Sequence, residues 1–129
     1  MLRQSLASVF VEERLMELLS SRIREDVKAG RTPGPQGSVA KLAGAQLSRH
    51  AAEVGLELLG AAGTAWPADD ADAERWTQAL LGAPGGAIAG GTPEIMKNIL
   101  GERVLGLPRE PAVDRDVPFR ELKAGGGRS

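Results

Sequence analysis

Apolar side chains return through the first 28 residues at Leu2, Leu6, Val9, Leu15, Leu19, Ile23 and Val27. Steps of three, four and six residues put them along one side of a 3.6-residue repeat, which predicts an amphipathic helix over 2–28. Arg3, Glu13, Arg14, Arg22, Arg24, Glu25 and Lys28 supply its polar, solvated faces. The pattern starts abruptly at Leu2 with no capping residue before it, as expected for a piece of a larger domain. Residues 29–35 read AGRTPGP, and two prolines with two glycines cannot continue a helix. A turn is predicted there, joining a hairpin of two long helices.

The second helix is predicted from Gln36 or Ser38 to Leu59. Its stripe is Val39, Leu42, Ala43, Gln46, Leu47, His50, Val54 and Leu58, and alanines at 40, 43, 45, 51 and 52 allow a close neighbour. Gly60-Ala61-Ala62-Gly63 then reads as a small-residue loop, either a flexible connection or a place where something large nears the backbone. Asp69, Asp70 and Asp72 precede a short helix, Ala73 to Leu81, as N-terminal acids that complement the helix dipole. Gly82 to Ala89 reads as a further small-residue connection.

That connection leads into Gly90-Gly91-Thr92-Pro93-Glu94-Ile95. Thr92 stands as N-cap, Pro93 as N1 and Glu94 in the first turn; Ile95, Ile99, Glu102 and Val104 carry the helical spacing, and Gly106 with Pro108 ends it. A glycine loop entering a helix suits an anion, and the same signals open many purely structural helices. Residues 108–129, with three prolines, mixed charge and a terminal glycine run, are predicted to be an extended or disordered tail. The fold class expected is all-α, a partial up-down bundle of three main helices and one short one over residues 1–107.

Composition narrows the function classes. Aromatics make up 3% of the 129 residues, so the core is built from Leu, Ala, Val and Ile. Sixteen basic against 17 acidic residues, a formal charge of −1, gives no basic excess for nucleic acid or an anionic membrane. No run approaches the ~18 apolar residues of a membrane span. The absence of cysteine excludes disulfides, thiolate zinc sites and cysteine nucleophiles, and fits a cytoplasmic protein. No metal site is expected: the one histidine, His50, is followed by Glu53 on the same face but lacks the Glu-x-x-His pairs of a carboxylate-bridged di-iron bundle. The acidic cluster lacks the spacing and central glycine of a calcium loop. The glycines match neither dinucleotide nor P-loop fingerprints, and no nucleophile elbow is present.

Two stretches resemble the C-terminal helical domain of acyl-CoA dehydrogenases. Gly37-Ser38-Val39-Ala40-Lys41-Leu42, with Leu58-Leu59-Gly60-Ala61-Ala62-Gly63 beyond it, is similar to the family's S-x-A-K-x helix and Q-x-L-G-G-x-G loop. Gly91-Thr92-Pro93-Glu94-Ile95 with Arg103-Val104-Leu105-Gly106 is similar to its G-T-x-E/Q-I…R-x-L-G ending. Order and spacing agree over residues 2–108, most closely with actinobacterial-type members. The resemblance implies a flavoprotein that dehydrogenates acyl-CoA thioesters at the α and β carbons, using FAD and passing electrons to an electron-transfer flavoprotein. Against that pattern the chain begins within the second bundle helix. The first bundle helix, an arginine-containing flavin motif and two preceding domains are then missing, and the chain alone is expected to be inactive.

Carried over by residue, the family's Q-x-L-G-G segment, which approaches the FAD diphosphate of a neighbouring subunit, falls on Glu57 to Ala61. Glu57 places a carboxylate where the family has an amide, and Ala61 adds a methyl in place of the second glycine. Gly91, Thr92 and Glu94 match the FAD-contacting G-T-x-E/Q segment. The cofactor-side residues implied are thus Glu57, Gly60, Ala61, Gly91, Thr92 and Glu94. Gly90 occupies the position of the catalytic glutamate of many members and cannot take a proton, and the first bundle helix, on which other members place the base, is outside the match, so no catalytic residue is assigned. A homo-oligomer, or a hetero-oligomer with a chain carrying the missing domains, is expected, because three helices of a four-helix bundle expose a seam. The alternative is a non-catalytic assembly module or partner subunit that has lost flavin binding.

Overall fold

A computed structural model describes residues 1–32, 34–67, 69–109, 117, 118 and 121; most of the predicted tail therefore lies outside the described residues. The described residues form five helices and no strand: α1 (Leu2–Lys28), α2 (Gln36–Leu59), α3 (Ala61–Ala65), α4 (Ala71–Ile88) and α5 (Pro93–Arg103). The all-α prediction holds, with two differences in its elements.

Gly60 to Gly63, expected as a loop, contributes to α3, and the helix expected to end at Leu81 runs on to Ile88. Gly82, Gly85 and Gly86 each weaken a helix by about 1 kcal/mol and Pro84 by about 3, so local propensity alone disfavours this half of α4. Packing along α2 and an outside cap on its last turn hold it helical. At its other end Asp70 is the N-cap, its Oδ1 accepting from the N–H of Asp72 (3.1 Å) and of Ala73 (3.0 Å).

Helix α2 is the common partner: α1, α3, α4 and α5 all pack on it, and α1 packs extensively on no other helix. The buried apolar core of the described residues is small, comprising Ala52 and Val54 of α2, Ala73 of α4 and Met96 of α5. No residue of α1 is fully buried. Its half-buried line runs through Leu2, Val9, Met16, Leu19 and Ile23, whereas Leu6, Leu15 and Val27 of the predicted stripe are exposed. On α5 the buried side chain is Met96, 7% exposed, while Ile95 and Val104 are each 50% exposed. Apolar periodicity located these helices, but which apolar face turned inward was decided by where α2 lay. Phe10, Val11, Leu15 and Leu18 leave further apolar surface of α1 uncovered.

Candidate functional site

The turn between α4 and α5 is built on two left-handed glycines, Gly90 (φ +72°) and Gly91 (φ +115°). A Cβ at Gly90 would meet no atom within 4 Å, but one at Gly91 would lie 2.6 Å from Met96 Cε. Gly91 is required by its backbone conformation, and a side chain there would also displace the end of the Met96 side chain packed beneath it. Thr92 then turns into α5 as its N-cap, with Oγ1 accepting from the Ile95 N–H at 3.4 Å, and Pro93 follows as predicted.

Glu94 sits fully in solvent on the first turn. Its carboxyl is held below the ordinary value of 4.5 chiefly by its own backbone N–H and next by the Thr92 hydroxyl; slight desolvation opposes this and the Lys97 cation adds to it. A carboxylate held in its ionised form is poorly matched to general-base work near neutral pH. It is well suited to accept hydrogen bonds from hydroxyl or amino groups.

Lys41 of α2 reaches this turn. Its Nζ donates to the Ala87 carbonyl at 2.5 Å and to the Gly91 carbonyl at 2.7 Å. The sequence placed Lys41 in a motif without a role. The signal for one was indirect: α4 has no basic residue in its last turn, so its carbonyl end lacked a local cation. A groove of about 650 Å³ opens beside the same turn, between Arg49 and Glu53 of α2, Leu80 and Ile88 of α4, and Thr92 and Glu94 of α5. Arg49 is engaged there by Glu53 at 2.8 Å.

Glu57, Gly60 and Ala61 lie at the far end of α2, all exposed. Gly60 has φ +57° and ends the helix. The backbone approach expected in this loop falls on Gly63, where an added Cβ would overlap the Leu56 carbonyl of the chain's own α2. Gly60 lies 19 positions, about 28 Å of helical rise, beyond Lys41, so the residues expected on a cofactor side fall into two groups that do not meet in one site within a single chain.

Tested against FAD, the two ends differ. The glycine turn and ionised Glu94 offer open backbone and an acceptor, which fit the hydroxyl-bearing parts of the cofactor. Near Gly60, the Glu57 carboxylate opposes a diphosphate, and the five-residue α3 is too short to offset it with its N-terminus.

His50 is not the solitary group its sequence context indicated. Its Nδ1–H donates to the Glu12 carboxylate of α1, at 3.0 and 3.1 Å, while Glu53 turns to Arg49. The partners are 38 residues apart, beyond any local spacing rule. Among the described residues no group of three or more His, Cys, Asp or Glu is placed to hold a metal ion. No helix among them is long and apolar enough to cross a membrane.

The family model "Acyl-CoA dehydrogenase, C-terminal domain" matches residues 1–105. Acyl-CoA dehydrogenase IpdE1 of Mycobacterium tuberculosis is 40% identical over 78 residues, 60% of this chain and 20% of the relative. IpdE1 of Mycolicibacterium smegmatis is 38% identical over 78 residues, 60% of this chain and 19% of the relative. Acyl-CoA dehydrogenase FadE34 of Mycobacterium tuberculosis is 36% identical over 92 residues, 71% of this chain and 12% of the relative. The chain thus spans a fifth or less of the length of the curated relatives it matches. No solved structure matches it. The family match over the whole helical region and the Gly91–Glu94 turn agree, and the chain belongs to the acyl-CoA dehydrogenase family, as its C-terminal helical domain.

Proposed function

We propose that this chain is the FAD-side and oligomerisation segment of an acyl-CoA dehydrogenase-like flavoprotein, a cytoplasmic α,β-dehydrogenase of acyl-CoA thioesters that passes electrons to an electron-transfer flavoprotein. The observation that carries the reading is the Gly90-Gly91 turn delivering Thr92 as N-cap with an ionised, solvent-facing Glu94 beside it. FAD, when bound, supplies the acceptor for the hydride leaving the β carbon. This chain's share is to present Gly91, Thr92 and Glu94 along one edge of the cofactor; the other end of α2, with Gly60 and Ala61, faces a neighbouring subunit, where the Glu57 carboxylate opposes close approach of a diphosphate. The separation of about 28 Å along α2 supports two cofactors in different subunits over one shared within a chain.

Removal of the α proton needs a base within hydrogen-bond reach. Gly90 has no side chain to provide it, and Glu94 is held ionised as a capping acceptor, so the base comes from outside this segment and the segment alone is inactive. The uncovered apolar side of α1 is the surface through which it joins a second copy or a chain carrying the remaining domains. Titration of the purified chain with FAD, followed by flavin fluorescence, tests the cofactor claim. Saturable quenching is expected, and none at about 100 μM FAD would sink it. Sedimentation velocity tests assembly; a compact monomer at all concentrations would count against it.

A second reading is favoured by Glu57, Ala61 and Gly90 together: a non-catalytic assembly module or partner subunit that keeps the scaffold and has lost flavin binding. Assembly without flavin quenching is its expected signature.

A further inference from the structure

We propose that Lys41 is a positioning residue: from α2 it caps the carbonyl end of α4 and ties that end to the residue before the α5 N-cap, fixing the Gly91–Thr92–Glu94 edge. The last carbonyls of a helix have no partner within it and carry the negative end of its dipole. In α4, Gly85 O accepts from Ala89 N–H and Ile88 O from Gly91 N–H, both near 3 Å. Ala87 O is met by the Lys41 ammonium, which brings from another helix both the donor and the charge that α4 lacks in its own last turn. The same nitrogen holds the Gly91 carbonyl, so one cation grips both sides of the left-handed Gly90. Met96 closes the turn from beneath.

The clamp falls where the chain most needs one. The half of α4 it secures holds three glycines and Pro84, and Thr92, one residue past Gly91, sets the start of α5. Two hydrogen bonds converging from a half-buried ammonium are a different arrangement from a solvated lysine on a helix surface. Lysine also suits the task chemically: its compact tetrahedral nitrogen carries three donors that can point to separate carbonyls, whereas an arginine fork is planar.

Lys41→Met keeps the stem and removes charge and donors; Lys41→Arg keeps charge and donors. Amide hydrogen exchange on the full chain should rise about tenfold or more across residues 87–95 in Lys41→Met, with little change in α1, and Lys41→Arg should lie nearer the parent protein. Parent-like exchange at 87–95 in Lys41→Met, or an equal rise in every helix, would overturn the proposal. If Lys41→Met fails to fold, the comparison moves to a Gly85→Ala background, where the added methyl meets nothing within 4 Å and strengthens α4. Excess exchange at 87–95 over Gly85→Ala alone supports the clamp, and its absence refutes it. The functional consequence rests on the flavin-edge reading. If the parent chain binds FAD, Lys41→Met should bind about tenfold more weakly and Lys41→Arg between the two; equal binding by parent and Lys41→Met would count against Lys41. No binding by the parent removes the flavin reading and leaves the exchange comparison to decide on the lysine.

Discussion

The indole of Trp76 occupies the space that a side chain on Gly55 would need. An added Cβ there would lie 2.5 Å from Trp76 Cε3, well inside van der Waals contact, and both residues sit where α4 crosses α2. Arg75 covers the indole, its guanidinium carbon 5.2 Å from the ring centroid. Gly55→Ala forces helix or indole to move, and overpacking of this kind costs about 1–3 kcal/mol. Urea unfolding should show that loss together with a shift in tryptophan emission; an unchanged midpoint would contradict the packing.

The Glu12–His50 pair joins α1 to α2 with both side chains partly in solvent, 37% and 33% exposed respectively. Screening keeps such a pair weak, so a double-mutant cycle with Glu12→Ala and His50→Ala should return a coupling of about 0.5 kcal/mol. A coupling of zero would mean that apolar contacts alone dock α1.

Glu94 gives stability a specific acid dependence. Its folded-state carboxyl lies below the ordinary 4.5, so the ionised form favours the fold; that contribution is complete above the ordinary value and is lost as pH falls through the lowered one. The parent chain should be more stable than Glu94→Gln at about pH 7, and the difference should shrink as the pH falls below the ordinary carboxyl value and close once it is below the lowered one. A difference that grows on acidification would reverse the assignment.

Gly90→Glu places a carboxylate at the position that the resemblance aligns with the catalytic glutamate of many family members. The left-handed φ of +72° disfavours it, at about 1–2 kcal/mol, while the open space around residue 90 lets the chain fold. A destabilised but folded variant is expected by urea titration. A variant as stable as the parent would show that the turn does not depend on glycine there.

How much could be read from residue order alone depends on how local each cause is. Thr92 and Asp70 cap N–H groups two or three residues away and Pro93 fixes its own φ; the start of α5 is the one they predict, while α4 starts at Ala71, two residues before the Ala73 expected, because Asp70 and not Asp72 is its cap. The end of α4 is not legible in residue order, because Gly82, Pro84, Gly85 and Gly86 argue against a helix that α2 and its Lys41, more than 40 residues before Ala87, hold in place. Likewise Met96, not Ile95, turned inward on α5, since apolar spacing names several faces and the position of α2 picks one. For the candidate site, the matching motifs were visible, but residue order carries no distance. Only the straight run of α2 separates Gly60 from Gly91, and Glu12 gave no sign in sequence of its link to His50.

Helices α1, α3, α4 and α5 all mount on α2, with α3 also touching α4, so the arrangement is nearer a star than a ring, and damage should spread accordingly. A change on an outer spoke such as α1 loosens one attachment. A change on the inner side of α2, at Ala52, Val54 or Gly55, strikes the axle on which every spoke is mounted, so tolerance to substitution should fall from the rim inward.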